Sequence, residues 1–433
     1  MTQVLKARSG IITEEMEAVA ADENLDVEFI RQGIAEGRIV IPRNKKRKEF
    51  KYCGIGEGLR IKVNALIGTS SDRDDMEIEA RKVAIAEEAG CDSFMDLSTG
   101  KDIDGMRKQS LSLAHVAVGS TMIYQAGIEA IEKYGSVVNM REEDIFEVVE
   151  RQAAEGLDFM AIHCALNMDV IKRMQTVGRV TDVVSRGGAF LTGWMLHNQK
   201  ENPLYEKFDR VLEILKAYDV TLSLGDAIRP GSIADSLDGA QLQGMIIQGE
   251  LTRRAQEAGV QVMVEGPGHV PLNHVEATMR VQKRLCNNAP YYILGTLATD
   301  VTPGYDHISG AIGGALIGAC GADFLCYLTP AEHLGLPTEE DVRTGVITTR
   351  MAAHIADITK GNKQAWARDL EMAKARVALN IDGQITAALY PEQLKASAAT
   401  TTNDHVCVVC GTGCAAQVAA EYFGQPDDSM SNS

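Results

Sequence analysis

From Arg60 onward, short β-prone runs alternate with longer, charged, amphipathic stretches, and no other feature constrains the fold as strongly. The candidate strands are 61–67, 93–97, 116–123, 158–162, 180–184, 220–224, 260–264, 291–297 and 322–328. Between them lie helical patterns such as 75–89, 142–154, 205–217 and 239–258. Alternation of this kind means βαβ units and a parallel sheet. Eight or nine units over about 270 residues fit a closed (β/α)8 TIM-type barrel better than an open sheet. A dinucleotide-binding turn after the first strand is missing, because Gly54, Gly56 and Gly58 precede that strand instead of following it.

The rest of the chain divides around the barrel, expected over 60–340. Residues 1–59 read as an N-terminal appendage, with a helix starting after a Thr13 cap and the acidic Glu14 and Glu15. The basic run Arg43 to Lys48 reads as a solvated surface segment. Residues 341–396 form C-terminal helices, with patterns over 339–360 and 365–380. A Ser/Ala/Thr tract at 397–403 then has the composition of a mobile tether, and 397–433 reads as an arm.

Composition narrows the function. A net charge of -17 argues against nucleic acid as a partner, since phosphate binding needs a basic face. Nine cysteines in 433 residues do not suggest a disulfide-stapled secreted domain. The N-terminus carries no continuous apolar stretch of signal-peptide type. The most apolar segment, 308–328, is glycine-rich and carries Asp323, so it reads as a buried helix and strand, not a membrane span. The expected location is a reducing cytoplasm.

Two sets of residues carry chemistry. Cys407, Cys410 and Cys414 read Cys-x2-Cys-x3-Cys. Three thiolates can hold a four-iron cluster with one iron left open. They can also form a zinc knuckle completed by His405. The second set follows the strands, where a barrel carries its active site. Asn64, Met95-Asp96, Tyr124, His163-Cys164, Ser185 to Gly188, Asp226 with Arg229, Glu265 to His269, Tyr292, Asp300 to His307 and Thr329 to His333 all fall there. Two arginines and several glycine turns suit a phosphorylated ligand. His269 and His333 can converge on one metal ion.

These residues sit in recognisable motifs: RIKVNALIGTS (60–70), MDLSTG (95–100), SRGG (185–188), ENPLYE (201–206), EGPGHVP (265–271), PGYDHI (303–308) and TPAEHLGLP (329–337). Together they resemble the phosphomethylpyrimidine synthase family, from RSGIITEEM (8–16) to the cysteine triplet. The resemblance implies a radical S-adenosylmethionine lyase that rearranges 5-aminoimidazole ribotide, built as a (β/α)8 barrel with a C-terminal [4Fe–4S] arm. It implies a ribotide site of Asn64, Met95, Tyr124, His163, Ser185, Arg186, Gly187, Asp226, Ala227, Ile228, Arg229, Glu265 and Tyr292. Glu265, His163 and Tyr124 are its catalytic candidates. His269 and His333 would hold one zinc or iron ion, and Cys407, Cys410 and Cys414 the cluster. A homodimer and an electron donor such as flavodoxin or ferredoxin are further implications.

Departures from the family pattern are concentrated near the substrate. Cys164-Ala165 replaces Ala-Gly, Ala227-Ile228 replaces Gly-Leu, and Ser120-Thr121-Met122 replaces Thr-Val-Pro. Gly295-Thr296-Leu297 stands for Gly-Pro-Leu, and the second cysteine gap is one residue short. Change around the substrate beside intact radical machinery points to another product from the same ribotide. The expectation is 5-hydroxybenzimidazole, the lower-ligand base of cobalamin in anaerobes. The alternative is the thiamin pyrimidine phosphate.

Overall fold

A computed structural model of the chain describes residues 1–48, 50–400 and 414–423; Cys407, Cys410 and His405 lie outside them. Eight strands close into a parallel barrel: β1 (Lys62–Ile67), β2 (Ser93–Asp96), β3 (Ala117–Thr121), β4 (Phe159–Ile162), β5 (Thr221–Leu224), β6 (Val262–Gly266), β7 (Tyr291–Ile293) and β8 (Phe324–Cys326). Each pairs with the next, and β8 closes the ring onto β1, with Cys326 opposite Asn64. Helices cover the outside, so strands are buried on both faces and read as nearly continuous apolar runs. Aromatic rings fill the interior: Phe324 packs on Tyr292 at 4.3 Å and on Phe159 at 6.4 Å between centroids. Gly119 makes room for Phe159, since a Cβ there would lie 2.3 Å from the ring.

At the N-terminal face one device recurs. Asp92, Asp158 and Asp323 each precede a strand and accept a backbone N–H from its neighbour: Val63 at 2.8 Å, Val118 at 2.9 Å and Tyr291 at 2.9 Å. Conserving geometry at this end of a barrel serves stability, leaving the opposite end for chemistry.

The basic run corrects the sequence expectation in part: Lys45, Lys46 and Lys48 are exposed, but Asn44 and Arg47 are buried. Asn44 is fully buried and donates to the carbonyls of Ala153 and Leu157. Arg47 donates to the carbonyls of Ala114 and Val116 and lies 3.4 Å from Asp158. A buried guanidinium needs such partners, and they come from residues distant in sequence. The run closes the barrel floor.

The appendage holds three helices, Gln3–Arg8, Glu14–Glu23 and Val27–Glu36, and an antiparallel pair, Ile39–Val40 with Ile55–Gly56. Thr13 caps the second helix by accepting the Met16 N–H. Gln261 ties the appendage to the barrel, bonding the backbone N–H and carbonyl of Ile41 at 2.7 and 2.9 Å.

Segment 180–184 is a loop, not a strand. Val180 is 72% exposed, and the Asp235 carboxylate accepts the N–H groups of Val180 and Thr181 that a ladder would have used. Segment 308–328 does hold a helix (Asp306–Ala319) followed by a buried strand, β8. Among the described residues no helix is long and apolar enough to cross a membrane.

The chain forms two compact units, Met1–Ala356 and Asp357–Ser433. The second contains helices Lys363–Val377, Ile381–Ala387, Pro391–Thr400 and Ala415–Phe423. The first four residues of the Ser/Ala/Thr tract therefore end a helix, which corrects the tether expectation there. Alanine favours helix enough to override the tract's polar composition.

Candidate functional site

At the C-terminal ends of the strands lies a cavity of about 270 Å³. Met95, Tyr124, His163, Arg229, Glu265 and Tyr292 line it, and so do His269 and His333. Eight predicted residues from distant parts of the chain thus share one space. Asn64 sits just beneath them, fully buried. Ser93 Oγ donates to Asn64 Oδ1 at 2.7 Å, and Asn64 Nδ2 donates to the Tyr292 hydroxyl at 2.8 Å. The Tyr292 hydroxyl in turn faces the Met95 sulfur at 3.7 Å. A chain of bonds across β1, β2 and β7 fixes the floor.

Ser185 caps the helix Arg186–Asn198, its Oγ accepting the Gly188 N–H at 3.1 Å. That leaves its own proton for His163 Nε2, 3.0 Å away. Imidazole Nδ1 then carries the other hydrogen, and it is buried without a partner. Burial, with the nearby Arg229 cation second, lowers His163 to about 3, so the ring is neutral. Gly187 permits this arrangement: a Cβ there would come within 2.5 Å of the imidazole. Arg186 stacks over Tyr124, 5.0 Å from its centroid.

The turn after β5 carries Arg229, which donates to the Asp226 carbonyl at 3.0 Å. Burial pushes Asp226 up to about 6. Ala227 and Ile228 are buried within that turn, and Ile228 N–H donates to Asp226. A Cβ on Gly188 would lie 2.6 Å from the Ala227 carbonyl, so this turn and the helix start are in close contact. Arg179 clamps the turn from behind by donating to the Ile228 carbonyl and to Asp238. Glu265 ends β6, accepts from Ser223 Oγ at 2.8 Å, and is raised by burial to about 7. A carboxyl poised near neutrality can both take and give a proton.

His269 and His333 face each other with ring centroids 5.7 Å apart. Asp300 Oδ1 lies 2.7 Å from His269 Nδ1, and Asp306 Oδ1 lies 2.9 Å from His333 Nδ1. An ionised carboxylate only accepts, so each Nδ1 carries the hydrogen and each Nε2 keeps its lone pair. That donor set fits a zinc or iron ion with positions left for other ligands. Among the described residues no group of three or more His, Cys, Asp and Glu completes a metal cluster. Asp300 also accepts the Ile233 N–H at 3.0 Å, joining the Arg229 turn to His269. Asp300→Asn is expected to weaken metal binding about 10- to 100-fold, measured by competition with a chromophoric chelator. An unchanged affinity would show that Asp300 does not orient His269.

Sequence reasoning missed Cys326 and Tyr327, which line the cavity together with the strand-end Glu332. Their signal was period-two alternation along β8, where Cys326 follows the inward Phe324 at two residues. Asp300 and Asp306 were visible only as polar strand-end residues. Cys414 is buried and immediately precedes the helix Ala415–Phe423, with the Val418 N–H donating to its carbonyl.

Comparison with known proteins places the chain. The Radical SAM ThiC family profile matches residues 2–421. A 5-hydroxybenzimidazole synthase BzaB of Moorella thermoacetica is 71% identical over 98% of this chain and all of its own length. The protein of that name from Eubacterium limosum is 62% identical at the same coverage. A phosphomethylpyrimidine synthase, also of Moorella thermoacetica, is 54% identical over 99% of this chain and all of its own. With the barrel, the strand-end cavity and these full-length matches in agreement, the chain belongs to the Radical SAM ThiC family.

Proposed function

We propose that this enzyme is a radical S-adenosylmethionine lyase that rearranges 5-aminoimidazole ribotide into 5-hydroxybenzimidazole. One observation carries the choice of product. Over nearly the whole chain, identity is 71% and 62% with two 5-hydroxybenzimidazole synthases but 54% with a phosphomethylpyrimidine synthase. The sequence departures at Cys164, Ala227 and Ile228 agree with that division.

When bound, a reduced [4Fe–4S] cluster on Cys407, Cys410 and Cys414 supplies the electron that splits S-adenosylmethionine into methionine and a 5′-deoxyadenosyl radical. The barrel's residues do the rest by binding and proton handling. The capped N-terminus of Arg186–Asn198 and the Arg229 guanidinium attract the ribotide phosphate. The neutral His163 offers its unpartnered Nδ1–H to a ring or hydroxyl oxygen. Glu265 moves protons during fragmentation and reclosure, and Tyr292, held by Asn64, orients the ring. His269 and His333 would hold a zinc or iron ion, which would supply Lewis acidity at this end of the cavity.

A homodimer has a candidate face. Ile308, Ile312 and Leu316 stand exposed along one helix, and Met351 and Ile355 along the helix Glu339–Thr359 packed against it. Such a patch suits a second copy of the chain. A flavodoxin or ferredoxin is the proposed electron donor.

Complementation tests the product assignment in cells. In a host lacking thiamin pyrimidine synthesis, the chain is expected not to restore growth without thiamin. Full rescue would favour the thiamin alternative.

A further inference from the structure

Thr121 stands at a helix N-cap but does not cap the helix. It ends β3 and precedes the helix Met122–Tyr134, yet its side chain accepts no N–H from that helix, and the first turn holds no acidic residue. Its hydroxyl has no other partner among the described residues. The residue is only 8% exposed, and it lines the strand-end cavity. A nearly buried hydroxyl with no bond of its own is a group that a ligand completes. We propose that Thr121 is a specificity-determining residue of the ribotide site, its hydroxyl bonding a ribose hydroxyl of 5-aminoimidazole ribotide. The inference rests on the lyase reading above and adds a substrate contact to that site.

Direction is the first argument. Successive residues of a strand face opposite sides. A Cβ on Gly119 would lie 2.3 Å from the Phe159 ring, which fills the barrel interior, so Thr121, two residues on, faces inward. Ser120 faces the other way and donates to Gln152 at 2.6 Å. Gln125, one turn into the helix, accepts from Arg107 at 2.7 Å and from Gln152 at 2.9 Å. Anchored on both sides, Thr121 holds its hydroxyl beside the positive end of the helix, where an oxygen lone pair is favoured.

Place is the second. Around the barrel Thr121 stands on β3, between Met95 on β2 and His163 after β4. Met95 faces Tyr292, to which the ring of the ribotide is assigned. His163 is bonded to Ser185, which caps the helix assigned to the phosphate. Ribose joins ring to phosphate, so it lies between the two, against Thr121.

Substitution is the third. Of the departures from the family pattern within the described residues, Thr121 is the one that changes a residue lining the cavity, threonine standing for valine. Valine has the same outline without the hydroxyl. The change therefore alters bonding in the cavity and leaves its shape alone.

Isothermal titration of ribotide into cluster-reconstituted protein without reductant tests the contact apart from turnover. Thr121→Val is expected to weaken ribotide binding about fivefold, and Thr121→Ser to bind within about twofold of the parent. With reductant and S-adenosylmethionine added, the valine variant is expected to release more 5′-deoxyadenosine per 5-hydroxybenzimidazole formed, because a loosely held ribose uncouples the two. Its melting temperature should not fall, since the hydroxyl bonds nothing in the protein. If the valine variant binds ribotide like the parent and keeps the parent's product ratio, the contact is wrong and the lyase reading stands. A lowered melting temperature with ribotide affinity unchanged would make Thr121 structural and also overturn the proposal. A parent protein that does not bind ribotide overturns both.

Discussion

Cys410→Ala is expected to release no measurable 5′-deoxyadenosine from S-adenosylmethionine while the barrel stays folded. Three thiolates are the minimum that holds a four-iron cluster and leaves one iron open, so losing one removes the redox centre. The barrel core is built from strands that run from Lys62 to Cys326, far in sequence from Cys410. Far-ultraviolet circular dichroism and an unchanged melting temperature would confirm the fold. Retained 5′-deoxyadenosine formation would contradict the cluster assignment, and a zinc knuckle would gain ground. Iron and sulfide content measured on the same sample separates those readings.

Glu265→Gln should lower kcat by about 10²- to 10⁴-fold, the usual share of a positioned acid–base group. Burial raises this carboxyl to about 7, so the parent enzyme's kcat/KM should show a limb near pH 7 that the amide variant lacks. Stability should move the other way. The folded state holds a proton on Glu265 between its usual 4.5 and about 7, where the unfolded chain has released it. Its contribution is therefore fully present below 4.5 and lost as pH rises through 7. Glutamine removes that dependence, so above pH 7 the variant should be as stable as the parent or more so. A variant both inactive and destabilised at pH 8 would make Glu265 a structural residue.

The barrel was legible because parallel strands and covering helices impose two different periods on the chain. Local composition failed where burial depends on distant partners. The basic run looked solvated because Asp158 and the carbonyls of Ala114 and Val116, which bury Arg47, lie far away in sequence. Val180 to Val184 looked like a strand because valine content cannot reveal that Asp235 captures the backbone. At the site, His269 and His333 stood out as strand-end histidines. Their partners Asp300 and Asp306 did not, since a carboxylate's role as an orienting acceptor depends on geometry alone. Ala227 and Ile228 show a further limit. Sequence marked them as departures within the ribotide site, but both are buried in the Arg229 turn and neither is among the residues lining the cavity. Cys407 and Cys410 lie outside the described residues, so the cluster assignment rests on sequence and family.

Product identity is the central claim. Cluster-reconstituted protein, S-adenosylmethionine, a reductant and 5-aminoimidazole ribotide, incubated without oxygen, should yield 5-hydroxybenzimidazole by mass spectrometry, with 5′-deoxyadenosine formed alongside it. Formation of 4-amino-5-hydroxymethyl-2-methylpyrimidine phosphate instead would contradict that claim and place the chain with the thiamin enzymes of its family.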